Sequence, residues 1–96
     1  MVSGRVRSLV IKLEPAGSSV LGYVYLKEIA PGEAAQTVEI EPSSVLADYD
    51  AKGRLIGLEF LHAESADGKL MRRLSERLHV PELAGIDLAE MCKAAA

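Results

Sequence analysis

Apolar and polar residues alternate through the first two thirds of the chain. The clearest stretch is residues 36–62, where two alternating runs flank Asp50-Ala51-Lys52-Gly53 and a shorter run precedes them. A period of two is typical of strands, because successive side chains point to opposite faces of a sheet. Glycine takes positive φ at little steric cost, and an aspartate side chain accepts hydrogen bonds from nearby backbone N–H groups. The tetrapeptide therefore predicts a hairpin turn between two strands.

Two further alternating runs, at residues 5–13 and 20–27, precede this segment. Residues 14–19 between them contain proline, glycine and serine and predict a loop, so the two runs are expected to form a hairpin. In the short run at 37–41, the residues expected to point inward are Val38 and Ile40, and those expected outward are Thr37, Glu39 and Glu41. Short connections join all of these runs, which predicts an antiparallel sheet of four to five strands within residues 5–62.

The apolar spacing becomes helical after His62. Asp67 can cap a helix that begins at the next residue or the one after it. The apolar stripe of this helix consists of Leu70, Met71, Leu74 and Leu78. Val80 precedes a proline and therefore disfavours the α region, which predicts the end of the helix. Asp87 can cap a second, short helix that runs into the alanine tail.

Helices this short are marginal in isolation, so both are expected to pack against the sheet or a partner. The predicted fold is α+β: an N-terminal antiparallel sheet at 5–62, followed by one or two C-terminal helices at 67–95. A chain of 96 residues corresponds to a single domain, residues 1–96. We leave open whether the helices pack on their own chain or exchange between chains.

Composition narrows the function classes. Hydrophobic residues make up 49% of the chain, which argues against disorder. The net charge of −3 gives no electrostatic case for nucleic acid or an anionic membrane as partner. No apolar run is long enough to span a bilayer, and Lys12 and Glu14 interrupt the N-terminal apolar run that a signal peptide would need. Cys92 is the single cysteine, so no intramolecular disulfide can form. We expect a cytoplasmic protein.

The run after the central turn has the pattern G-x-L-x-G-x-E-x-L, made by Gly53, Leu55, Gly57, Glu59 and Leu61. With the acidic turn before it, this run resembles a family of small bacterial β-rich proteins, the domain of unknown function 2283. The likeness extends from residue 9 to residue 65 and departs from the family at residues 15–19, where more acidic residues would be expected. The C-terminal helices are an extension. The resemblance implies a small, mainly antiparallel β domain and implies no catalytic residues.

A calcium-loop pattern also falls in the central hairpin. Asp48, Asp50, Gly53 and Glu59 occupy positions 1, 3, 6 and 12 of the template. Lys52 occupies position 5, where a cation would repel calcium, and the flanking runs predict strands where the motif requires helices. The pattern therefore indicates a plain β-turn, and we predict no metal site and no cofactor.

Other candidate groups lack partners at catalytic spacing. Glu64 follows His62 by two residues. As an alternative function, a small ligand-binding or enzymatic domain would use His62, Glu59 and Glu64. His79 near a helix C-terminus has a structural explanation in the helix dipole. Cys92 beside an apolar residue behaves as a small hydrophobe, because nothing nearby specifies an activating base. No catalytic residue is predicted.

The densest basic cluster is Lys69, Arg72, Arg73 and Arg77, which is expected to form a solvated helix face because Glu76 interrupts it.

A surplus of apolar positions remains after one sheet face is assigned to the core. The expected interface residues are Leu21, Tyr23, Tyr25, Leu55 and Leu61. A chain this short cannot cover both faces of a sheet, and an apolar second face is typical of an interaction surface. We therefore predict a non-enzymatic protein-interaction module that forms a homodimer. The alternatives are an antitoxin-like partner of a neighbouring toxin and the His62-based ligand-binding or enzymatic domain.

Overall fold

A computed structural model describes residues 9–95. Over these residues, five strands form one sheet and a helical segment follows it. The strands are β1 (Val10–Ala16), β2 (Ser19–Tyr25), β3 (Gln36–Glu41), β4 (Val45–Tyr49) and β5 (Leu55–Phe60). The helices are α1 (Gly68–Leu78) and α2 (Leu88–Ala95), with 3₁₀ turns at Ala63–Ser65 and Pro81–Gly85. The predicted α+β fold is confirmed. Within residues 9–95, no helix combines the length and apolar character needed to cross a bilayer.

The sheet has the strand order β1-β2-β5-β4-β3, and all neighbours are antiparallel. The last three strands form a meander, and the β1–β2 hairpin adds to it with β2 beside β5. The connection at residues 26–35 therefore leads from β2 to the opposite edge of the sheet. β5, the last strand in sequence, becomes the middle strand.

The predicted hairpin turn between β4 and β5 is confirmed. Gly53 has φ +77° and its N–H donates to the carbonyl of Asp50 at 3.0 Å. The buried Asp50 carboxylate accepts the backbone N–H groups of Lys52 and Arg54, each at 2.9 Å, and the Arg54 Nε at 3.0 Å. The backbone N–H of Arg54 is the largest of the contacts that lower the pKa of Asp50. One carboxylate thus organises the turn.

Asp50→Asn is expected to destabilise the protein at pH 7 and to have little effect in acid. Because the folded state lowers the pKa of Asp50, its contribution is complete above about pH 4 and disappears as the pH falls through the folded pKa. Thermal unfolding at pH 7 should show a loss of several degrees in the variant, and the difference between the two proteins should shrink as the pH is lowered below about 4. Glu76→Gln, an exposed carboxyl on α1, is the control and should show no such convergence. A pH-independent difference for Asp50→Asn would contradict the assignment.

The predicted loop at 14–19 is wrong in extent, since only Gly17 and Ser18 separate β1 from β2. The reason lies at Pro15, which pairs with Val20 on β2. The N–H of Leu26 donates to the carbonyl of Ile56, just inside β5. Because the backbone groups of alternate residues point to opposite sides of a strand, even-numbered residues of β2 bond to β5 and odd-numbered residues bond to β1. Pro15 therefore occupies an outward position on an edge strand, where no N–H is needed. Of the predicted strand at 5–13, residues 5–8 lie outside the described residues.

A register shift between Glu39 and Glu41 reverses one prediction on β3. Glu41 was expected to point away from the core, and that expectation is wrong. The bulge turns its carboxylate to the helical side, where it pairs with Arg73 Nη2 at 3.1 Å and Arg77 Nη1 at 3.0 Å. Arg77 also donates to the carbonyl of Ile40 at 2.9 Å. Two members of the basic cluster thus fix α1 to an edge of the sheet.

The helical segment covers one face of the sheet, called here the inner face. Ile11, Val24, Leu58 and Ala47 are cross-strand neighbours on it. Val24, Leu58 and Ala47 belong to one core cluster with the fully buried Met71, Leu74, Leu83 and Leu88, and the half-buried Ile11 packs against this cluster. Asp67 caps α1 through the N–H of Leu70, as predicted, and Asp87 caps α2 through the N–H of Glu90. His79 ends α1 in the left-handed conformation.

Candidate interaction surface

The opposite face of the sheet, called here the outer face, contributes no residue to the core cluster. It is formed by Val10, Lys12 and Glu14 of β1, Leu21, Tyr23 and Tyr25 of β2, Gly57 and Glu59 of β5, Leu46 and Asp48 of β4, and Thr37 and Glu39 of β3. The described helical residues that enter the core pack on the inner face. Within residues 9–95, the outer face is therefore a sheet surface without a helical layer.

One row of residues crosses all five strands of the outer face. In the order of the strands it consists of Lys12, Tyr23, Glu59, Leu46 and Glu39, each the register partner of the next. The row, called here the central row, starts with a cation at one sheet edge and ends with a carboxylate at the other. Between these ends the two apolar side chains flank Glu59, which lies on the middle strand.

The two tyrosines of β2 stack on each other along the strand. Their ring centroids are 6.1 Å apart and the ring planes differ by 4°. Both residues are half-buried in the single chain. Burial, followed by the charges of Glu14 and Glu59 and by Tyr25, raises the pKa of Tyr23, so its phenol stays neutral at physiological pH. The stack gives the outer face an aromatic strip.

A pair of carboxyl groups lies beside this strip. Asp48 Oδ1 accepts the hydroxyl of Thr37 at 2.6 Å. Asp48 and Glu59 are diagonal neighbours on the outer face, because Asp48 pairs with Gly57 and Leu46 pairs with Glu59. Burial, the hydrogen bond to Asp48 and the charge of Asp48 raise the pKa of Glu59 to about 7. Because one carboxylate cannot donate to another, the pair holds one proton when this hydrogen bond forms.

The carboxyl groups of the calcium-loop pattern do not converge on one site. The Asp50 carboxylate is bonded to its own turn, whereas Asp48 and Glu59 lie on the outer face. Across residues 9–95, no group of three or more His, Cys, Asp or Glu side chains is arranged to hold a metal ion.

The structure distributes the expected interface residues unevenly. Leu21, Tyr23 and Tyr25 lie on the outer face, and Leu61 is half-buried directly after β5. Leu55 instead packs against the core cluster, since a register shift between Asp48 and Tyr49 displaces it from the alternation. Leu46 was missed although it lies in the central row. Its alternation with two buried neighbours in β4 was the signal that could have identified it.

His62 lies in a polar cluster at the end of the sheet. Ser19 Oγ is 2.9 Å from His62 Nδ1, and Glu64 Oε2 is 3.5 Å from the same nitrogen. A serine–histidine–acid relay requires the serine and the acid on different ring nitrogens, so this arrangement differs from a catalytic triad. Glu64 Oε1 also accepts the N–H of Val20 at 2.8 Å, which is the largest cause of its lowered pKa. The cluster ties the first 3₁₀ turn to β2, and Glu59 is not part of it.

Cys92 packs half-buried against the core cluster. Burial and then the charge of Glu64 raise the pKa of its thiol. The side chain is therefore protonated at neutral pH, as suits a small hydrophobic residue.

The connection at residues 26–35 borders the outer face at one end. Ile29 Cδ1 lies 3.5 Å from where a β-carbon on Gly57 would stand. A cleft of about 750 Å³ opens between the connection and the sheet, lined among others by Val10, Tyr25 and Pro31. Glu33 holds the connection in shape, because its carboxylate pairs with Lys27 and accepts the N–H of Ala30 at 2.9 Å.

The segment from β2 to the first 3₁₀ turn coincides with a known family pattern. Residues 22–64 match the family model described as "Protein of unknown function (DUF2283)". The predicted resemblance is confirmed over that segment. The DUF2283 segment contains all of the central row except Lys12, and the glutamate of the G-x-L-x-G-x-E-x-L pattern is Glu59. The matched segment excludes both helices. It also excludes β1, although the resemblance predicted from the sequence began at residue 9. No curated protein and no solved structure matches the chain.

Proposed function

We propose that this protein is a non-enzymatic interaction module that self-associates through the outer face. The observation that carries the proposal is the central row, an apolar and carboxyl-centred middle between a cation at one sheet edge and a carboxylate at the other. A surface of this kind can be complementary to itself. The occupant of the outer face is accordingly a second copy of the chain.

The strand order makes the central row complementary under a two-fold rotation. β5 is the middle strand, so an axis parallel to β5 above Glu59 brings β1 of one copy over β3 of the other. Lys12 of each copy then faces Glu39 of the other, and Tyr23 faces Leu46. Sheets that pack face to face keep their mean strand directions within about 30° of each other, which is compatible with an axis parallel to β5.

Charge selects this axis over the perpendicular one. A two-fold axis along the central row would set Lys12 against Lys12 and Glu39 against Glu39, and like charges across an interface are unfavourable. The axis parallel to β5 instead creates two identical opposite-charge contacts at the rims.

The size of the outer face predicts a weak dimer. Five strands at a spacing of about 4.8 Å and a length of about 20 Å give roughly 500 Å² per copy. The total of about 1,000 Å² lies at the lower end of specific protein interfaces. We therefore expect a dissociation constant in the micromolar range, about 1–100 µM.

Charge reversal tests the self-association. Lys12→Glu and Glu39→Lys, each alone, should raise the dimer dissociation constant about tenfold or more, because each variant sets two like-charge contacts against itself. An equimolar mixture of the two should form a heterodimer of nearly wild-type affinity, since both of its rim contacts again pair opposite charges. Sedimentation equilibrium from 5 to 500 µM, with one variant carrying a mass tag, measures all three.

Lys69→Glu, which makes the same charge change on α1, is the matched control and should dimerise as the wild type does. A wild-type chain that remains monomeric at 500 µM would overturn the proposal. Weakened single variants without recovery in the mixture would overturn the axis parallel to β5.

A further inference from the structure

Glu59 occupies the centre of the outer face in both directions. It lies on the middle strand of five and in the middle of the central row. Any two-fold axis that lies between two outer faces and passes through their centre brings the Glu59 side chains of both copies together. This consequence depends only on the position of Glu59 and holds for either orientation of the axis.

We propose that self-association through the outer face takes up protons, and that the Asp48–Glu59 carboxyl pair is the group that binds them. This inference rests on the proposed function and adds a regulation to it: the assembly forms when the pair is protonated and dissociates when both carboxyls are ionised.

The charged groups around Glu59 leave its ionised form without a nearby cation. β4 supplies Asp48, the diagonal neighbour of Glu59, and β3 supplies Glu39 two strands away. β2 supplies the neutral phenol of Tyr23. β1 supplies Lys12 and Glu14, and among the described strand residues of the outer face Lys12, at the far end of the central row, is the single cation. The connection at residues 26–35 supplies Lys27, which lines the same cleft as Lys12 and pairs with Glu33.

Contact with a second copy strengthens burial and carboxyl repulsion, which already raise the pKa of Glu59 in the single chain. The pKa of Glu59 is already about 7, chiefly through burial. A second outer face removes the remaining water and adds a second Glu59 at close range, and both changes favour the neutral carboxyl. The pKa of Glu59 is therefore higher in the dimer than in the monomer. At a pH between the Glu59 pKa of the monomer and that of the dimer, each protomer takes up a proton from solvent when the dimer forms.

The sign of the pH dependence follows from linkage. Below about pH 7 both states hold the proton and the dissociation constant is flat. Above it the monomer releases a proton that the dimer retains, so the dissociation constant rises with pH. With one proton per protomer the limiting slope is about a hundredfold per pH unit.

Sedimentation equilibrium of the full chain from pH 5.5 to 8.5, at constant ionic strength, tests the inference. We expect the wild-type dissociation constant to rise between tenfold and a hundredfold from pH 6 to pH 8. Glu59→Gln keeps the shape of the side chain and its hydrogen bond to Asp48 but cannot ionise, so its dissociation constant should stay near the low-pH value throughout. Asp48→Asn removes the neighbouring charge and should move the rise to lower pH.

Glu14→Gln, on the same face but outside the pair, is the matched control and should keep the wild-type profile. A wild-type dimer whose affinity is independent of pH, or a Glu59→Gln variant with the wild-type slope, would overturn proton uptake and leave self-association standing. A chain that is monomeric at every pH and concentration would remove the proposed function, and this inference with it.

Discussion

Phe60→Ala is expected to lower the free energy of unfolding by about 3–5 kcal/mol, the usual cost of truncating a buried phenylalanine. Phe60 lies on β5, is 1% exposed and belongs to the core cluster with residues of β2, β4 and α1. Domains are typically stable by about 5–15 kcal/mol, so this loss is a large fraction of the total stability. Urea titration followed by circular dichroism measures the loss.

The neighbouring residue provides the control for Phe60. Leu61 is half-buried and lies outside the core cluster, so Leu61→Ala should cost at most about 1 kcal/mol in the single chain. Equal losses for the two variants would show that the inner and outer faces of β5 have been assigned incorrectly.

Gly22→Ala is expected to destabilise the protein by about 1–3 kcal/mol through overpacking. A β-carbon at Gly22 would stand 2.9 Å from the β-carbon of Ala63, in the 3₁₀ turn that packs on the inner face. Ala63 cannot move its β-carbon without moving backbone, so the contact cannot relax by a rotamer change. Thermal or urea unfolding of the variant measures the cost.

A double-mutant cycle isolates this contact. Ala63→Gly removes the atom that a new β-carbon at residue 22 would meet. The free energy of unfolding of the double variant Gly22→Ala, Ala63→Gly should therefore exceed, by at least about 1 kcal/mol, the value expected from adding the two single effects. Gly57→Ala is the control, because a β-carbon at Gly57 has no heavy-atom neighbour closer than 3.5 Å. Additive effects at Gly22 and Ala63 would contradict the close approach of β2 and the turn.

The features predicted correctly from sequence depend on residues close together in the chain. The turn at Asp50–Gly53 is held by hydrogen bonds that span four residues at most. The cap at Asp67 involves Leu70, and the apolar stripe of α1 follows from helical geometry alone. Local hydrogen bonding and side-chain periodicity act before any tertiary contact, so the sequence pattern contains them.

The errors arose where a neighbouring strand decides the geometry. Pro15 is tolerated inside β1 because β1 is an edge strand. Glu41 and Leu55 leave the expected alternation because register shifts against β4 re-aim them. A bulge adds a residue on one strand relative to its partner, so it has no meaning for a strand considered alone.

The sequence by itself determined the α+β class, the elements at the centre of the chain and the surplus of apolar residues. Only the tertiary structure decided that β2 pairs with β5 and that β3 lies at the far edge. That strand order joins Lys12 to Glu39 in one row and places Glu59 at its middle. These residues are far apart in sequence, and their alignment follows from nonlocal backbone pairing, which the alternation of residues within any one strand does not encode.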